Sequence, residues 1–184
     1  EIVNLSENRQ FGLAMHLHTN GMFGVHENPE DFITLKSGRL SPHYLNLREG
    51  VSSRQTREII GGSMLSLANI QGAGEEDVDE TGFPFDHIAG TPEAFTSYAA
   101  TMADISGISL LQPRVAKKSA GNKAPILGKY KEGDTLALLD DVVTDGGTKI
   151  EAIDLIRSSG LEVAGYYVVL DRQEGGYAQV LSER

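Results

Sequence analysis

The stretch that most constrains the fold is TLALLDDVVTDGGTKIEAI, residues 135–153. Apolar residues Leu136 to Leu139 run into two adjacent aspartates and two valines. A short loop with two glycines follows, and then a segment patterned as an amphipathic helix. The first part, TLALLDDVV, reads as a strand buried on both faces. The last part predicts a helix over Lys149–Ser159, stopped at Gly160. Placing Asp140 and Asp141 at the end of such a strand is costly unless something binds them, so a ligand site is expected there.

The rest of the chain supports one α/β domain over residues 1–184. An N-terminal helix is expected over 6–20, starting at a Ser6 cap. Two short extended segments joined by a Ser-Gly turn follow in FITLKSGRLSPHYLNLR, and a helix over 53–70 carries Ile59, Ile60, Met64, Leu65 and Leu67 at helical spacing. Next come an acidic Gly-rich loop at 71–82, a strand near 86–89, a helix over 93–106, and a strand in ISLLQPR. A basic loop at 115–131, the strand-loop-helix unit above and a final strand, VAGYYVVLD, complete the order. Alternation of this kind implies a mostly parallel sheet flanked by helices.

Composition removes several alternatives. No apolar run reaches the roughly 18 residues of a membrane span, so no membrane role is expected. The absence of a signal-like N-terminus makes the cytoplasm the expected compartment. With no cysteine, disulfides and thiolate metal sites are excluded. A net charge of −10 argues against a nucleic-acid partner. The charge is unevenly spread: Arg114, Lys117, Lys118, Lys123, Lys129 and Lys131 gather between 114 and 131, whereas EEDVDE occupies 75–80. The basic stretch suits an anion.

In a parallel sheet, ligands gather beyond the carboxyl ends of the strands, where Asp140 and Asp141 fall. The helix that follows opens with unpartnered N–H groups carrying partial positive charge, which suits a phosphate. Gly146 and Gly147 let the backbone fold closely around it, and the hydroxyls of Thr144 and Thr148 can donate. Two carboxylates beside that cradle would repel the phosphate, so they are expected to accept hydrogen bonds from an attached sugar. The stretch therefore reads as a ribose 5-phosphate site.

LALLDDVVTDGGT resembles the phosphoribosyl pyrophosphate signature of type I phosphoribosyltransferases. LKSGRLSPHYLN at 35–46 and LDRQEGG at 170–176 are similar to flanking motifs of the orotate phosphoribosyltransferase branch. The three follow the family's order and span most of the chain. The resemblance implies the type I fold with a small hood built from about the first 50 residues plus a C-terminal segment. It implies Mg²⁺-dependent transfer from phosphoribosyl pyrophosphate to orotate, giving orotidine 5′-phosphate and pyrophosphate, in a homodimer. The metal would be held mainly by the pyrophosphate and ribose hydroxyls, not by a protein site. Catalytic roles would fall to Asp140, Asp141, Lys118 and Arg114. The sugar phosphate and pyrophosphate would lie against Lys36, Val142, Val143, Thr144, Asp145, Gly146, Gly147 and Thr148. Arg172, Tyr44 and Thr144 would contact orotate.

Several of these residues also have plainer readings. Arg172 has a planar fork suited to a carboxylate, or it pairs with Asp171 or Glu174. Lys36 reaches the pyrophosphate or stands in solvent, while Ser37 and Gly38 shape its turn. Tyr44 stacks on the base or packs in the core. His16 and His18, two apart on a helix, face different sides and make poor metal geometry. His43 is expected near the pocket, and His26 and His87 as ordinary surface or strand-end residues. The basic loop RVAKKSAGNKAPILG lies where the family carries a mobile lid that closes over pyrophosphate across a dimer interface. It departs from the family's pattern: Val115 replaces a cation and Ala120 a histidine. Glu93 and Ala94 replace an aromatic-lysine pair, and Leu45 an aromatic. These departures keep two rivals in view, a transferase for another base and a non-catalytic sensor of the ribosyl phosphate.

Overall fold

The computed structural model describes residues 5–35, 38–72, 82–93, 95–114, 124–143 and 147–172. Its centre is a parallel four-stranded sheet. β9 (Thr135–Val143) lies between β10 (Glu162–Asp171) and β5 (His87–Gly90), and β6 (Ser109–Leu110) pairs on the far side of β5. β9 has the bounds expected from its apolar run. Alternation along the strand divides its side chains between two cores. Ala137 and Leu139 enter a core built with α2 (Arg54–Gly72) and α3 (Thr96–Ser106), which contribute Ile60, Met64, Tyr98 and Met102, with Phe95 just ahead of α3. Leu136 and Leu138 enter a second core with Ile153 and Ile156 of α4 (Gly147–Ser158). Each buried Leu, Ile or Met contributes roughly 1.5–3 kcal/mol, so β9 is fixed from both faces.

The N-terminal part forms the expected hood. α1 (Glu7–Thr19) follows Ser6, although the Ser6 side chain makes no capping bond; its carbonyl accepts from the Arg9 and Gln10 amides instead. β1 (Phe23–Val25) pairs antiparallel with β4 (His43–Leu45), and β2 (Ile33–Thr34) with β3 (Leu40–Ser41). Gly38, at φ 81°, turns the β2–β3 hairpin. The hood is seated on α3: the Tyr98 hydroxyl donates to the Leu47 carbonyl at 2.6 Å, and burial pushes that phenol up to about 12. A Cβ at Gly50 would stand 2.6 Å from both the Tyr98 hydroxyl and the Met22 sulfur, so any larger residue here would have to displace those side chains.

Two expectations need correction. α3 starts at Thr96, three residues later than its helical pattern suggests. The single strand expected in ISLLQPR is two: β6, and then β7 (Gln112–Pro113), which pairs antiparallel with β8 (Ile126–Leu127). The division has a physical basis, because Pro113 has no N–H for the central ladder, whereas an edge pair tolerates it. The acidic stretch 75–80 and residues 115–123 of the basic loop lie outside the described residues.

Candidate active site

The carboxyl ends of β5, β9 and β10 meet where the sequence places its site. Asp140 and Asp141 are neighbours in β9, so their side chains leave opposite faces of the sheet. Asp140 is 3% exposed. Its Oδ1 accepts from the Thr91 hydroxyl at 2.6 Å and from the Asp141 amide at 2.8 Å, and its Oδ2 accepts from the Tyr166 hydroxyl at 2.6 Å. Asp140, expected beside Asp141 at the ribose, thus holds bonds to both neighbouring strands. Asp141 is half-buried on the face shared with Ala137 and Leu139, and its Oδ1 accepts from the Val142 amide at 2.7 Å.

Tyr166 and Thr91 were not singled out in the sequence, and little could have marked them. Tyr166 sits in an apolar strand where an aromatic side chain is ordinary. Its phenol lies well above its usual value, first because it is buried and then because of Asp140. Its hydroxyl donates to Asp140. Thr91 follows β5 directly, its amide donating to the Leu139 carbonyl at 2.9 Å.

Beyond Val143 the loop residues Thr144, Asp145 and Gly146 lie outside the described residues, and α4 opens at Gly147 with Thr148 in its first turn. The amino end of α4 is thus delivered to the same edge as the acids. Arg172 lies at the end of β10. Its amide donates to the Val143 carbonyl at 3.2 Å and its Nη1 to the Ser41 hydroxyl at 3.0 Å. Ser41 is buried, and its Oγ donates to the His43 carbonyl at 3.1 Å. Ser41, the end of β9 at Val143 and Arg172, one from each of the three motifs, therefore meet at one corner.

The remaining expected residues are spread around that corner. Tyr44 lies in β4 with its ring 5.3 Å from that of His26, and a Cβ at Gly24 would collide with it. His43 is exposed at the start of β4. Arg114 follows β7, half-buried, with its amide donating to the Pro125 carbonyl at 3.0 Å. Lys36, Ser37, Ala94, Val115, Lys118 and Ala120 lie outside the described residues. His16 and His18 face different partners, the Thr56 hydroxyl and the Phe23 carbonyl. His87, expected as a surface or strand-end residue, is the strand-end one: it begins β5 and is buried, with Nε2 2.9 Å from Asp134 and Nδ1 against the Ser109 hydroxyl.

No model of a protein family matches the chain. Over 149 residues it is 32% identical to orotate phosphoribosyltransferase of Caenorhabditis elegans, covering 81% of this chain and 61% of that one. Against orotate phosphoribosyltransferase of Thermococcus gammatolerans it is 30% identical, covering 81% of this chain and 74% of that one. The chain belongs to the orotate phosphoribosyltransferase family. Among solved structures, Leishmania donovani UMP synthase superimposes with a TM-score of 0.73 at 30% identity, over 95% of this chain and 34% of that one. The fold is accordingly the type I phosphoribosyltransferase fold, and the corner of β5, β9 and β10 is its candidate active site. Among the described residues, no helix is long and apolar enough to cross a membrane.

Proposed function

We infer that the chain transfers ribose 5-phosphate from phosphoribosyl pyrophosphate to orotate, giving orotidine 5′-phosphate and pyrophosphate. The observation that carries this reading is the bond from Arg172 to Ser41, 131 residues apart, which sets a guanidinium at the corner where β9 ends. A carboxylate-bearing ring suits that planar fork better than a neutral base does.

In this reading the amino end of α4, with Thr144 and Thr148, takes the 5-phosphate, and Asp141 accepts hydrogen bonds from the ribose hydroxyls. The bond from the anomeric carbon to pyrophosphate breaks, with the electron pair leaving on pyrophosphate, while a ring nitrogen of orotate forms the new bond. Positive charge that develops on the ribose is favoured by Asp141, so no protein nucleophile is required. Lys36, Arg114 and Lys118 would meet the pyrophosphate, and a closed basic loop would exclude water from the cationic ring.

Mg²⁺ prefers oxygen donors and is commonly held by substrate phosphates with one or two carboxylates. Asp140 is engaged by hydroxyls, which leaves Asp141 as the half-buried carboxylate of the pair. That donor set fits an ion carried on the pyrophosphate. When bound, the ion would neutralise charge on the leaving group. The family resemblance further implies a homodimer, to be checked by sedimentation. The soluble anionic substrates suit a cytoplasmic enzyme.

The test is pyrophosphate release by the purified chain with orotate, other pyrimidines and purines, with and without Mg²⁺. Release that requires orotate and falls on chelation is expected. Silence with every base would leave only binding without turnover, and a purine that outperforms orotate would overturn the choice of base.

A further inference from the structure

We propose that Tyr166 is a positioning residue for the transfer: with Thr91 it holds the Asp140 carboxylate inside the sheet, and Asp140 fixes the backbone from which Asp141 meets the ribose. This inference rests on the proposed function and adds a division of labour between the two acids.

The geometry is specific. Opposite Asp140 in the β9–β10 ladder stands Val168, and Tyr166 lies two residues earlier on the same face. An aromatic side chain spans such a diagonal, and the Tyr166 hydroxyl reaches Oδ2 at 2.6 Å. From the other side, Thr91 brings the end of β5 to Oδ1 at the same distance. Hydroxyl bonds of this length to a carboxylate are charge-assisted and stronger than neutral ones. One buried carboxylate thus ties three neighbouring strands together at their carboxyl ends. Its Oδ1 also accepts the Asp141 amide, so the tie includes the backbone of the acid expected to face the sugar.

An apolar side chain at 166 would fill the space and leave a buried carboxylate short of a donor, which is unfavourable. With Tyr166 and Thr91 as donors, the Asp140 carboxylate is held in one orientation at the strand ends.

The experiment compares the full chain with Tyr166→Phe, which keeps the ring and removes the donor. Losing a hydrogen bond to a charged group predicts about a tenfold fall in kcat/KM. The fall should appear as a higher KM for phosphoribosyl pyrophosphate, with the KM for orotate unchanged, and the melting temperature should drop by a few degrees as the buried carboxylate loses a donor. Amide hydrogen exchange at Asp141 should accelerate in the variant. Should Tyr166→Phe fail to fold, Thr91→Val removes the donor on the other oxygen and is read in the same way. Kinetics within twofold of the parent, or equal rises in both KM values, would overturn the proposal. If the parent transfers to no base, the proposed function fails and the exchange measurement decides alone: faster exchange at Asp141 supports the tie, and unchanged exchange removes it.

Discussion

The two ends of the central sheet solve the same problem differently. At the amino end, His87 joins Asp134 and Ser109, while the Asp86 carboxylate accepts from both the amide and the hydroxyl of Thr135 at 2.8 Å. These bonds tie β5, β6 and β9 to one another and to the loop before β9. At the carboxyl end, Thr91 and Tyr166 do the same for β5, β9 and β10 through Asp140, but Asp141 and Arg172 stand beside that tie, next to the amino end of α4. A histidine, a serine and an aspartate in contact are therefore no sign of chemistry by themselves. The chemistry is expected where strand ends, a helix terminus and side chains from distant motifs coincide.

The comparison breaks if substitutions at the two ends have the same kind of effect. The largest effect is expected from Asp141→Asn, which should lower turnover at least about 100-fold, the range for losing one group that stabilises transition-state charge, with the melting curve unmoved. Loss of fold in this variant would remove Asp141 from the site. Next, Arg172→Lys keeps the charge and loses the fork. Steady-state assays should show the orotate KM rising about tenfold to a hundredfold, with the KM for phosphoribosyl pyrophosphate little changed. At the opposite end, His87→Ala should cost about 1–3 kcal/mol through the unpaired groups it leaves. Calorimetry should then record a melting temperature lower by several degrees, while kcat/KM at a permissive temperature stays that of the parent.

The smallest effect concerns pH. The bond to His87, and then the Lys131 amide, hold the Asp134 carboxyl below its ordinary value of 3.8. A carboxyl lowered in the folded state stabilises the fold above the unfolded value and loses that contribution as pH falls through the lower, folded value. The effect is therefore confined to pH below about 3.8. Melting profiles of the parent and of Asp134→Asn should converge there and separate above it. Divergence that instead grows toward acid would reverse the sign and argue against the His87 contact.

Local signals carried much of this architecture. The apolar run of β9, the helical spacing in α2 and the Gly107 stop of α3, with φ 77°, all act within a few residues and were legible. The corner itself was legible only as motifs, because the Arg172–Ser41 bond joins residues 131 apart in the chain. Tyr166 and His87 were hidden for a different reason. Each lies in a strand whose pattern is satisfied by its apolar neighbours, and the polar atom that matters is bonded across strands, to Asp140 in one case and to Asp134 in the other. The split of residues 108–114 escaped because pattern alone does not say which neighbour a short strand will choose.

Alternation along β9 gives two chemically identical neighbours unlike surroundings. A mutational library that treats positions 140 and 141 as interchangeable acids would mix two effects, on the bonds that join three strands at one and on the proposed ribose contact at the other. Inserting one residue ahead of Asp140 would exchange their faces, turning in the acid proposed to meet the ribose and turning out the one bonded to Thr91 and Tyr166.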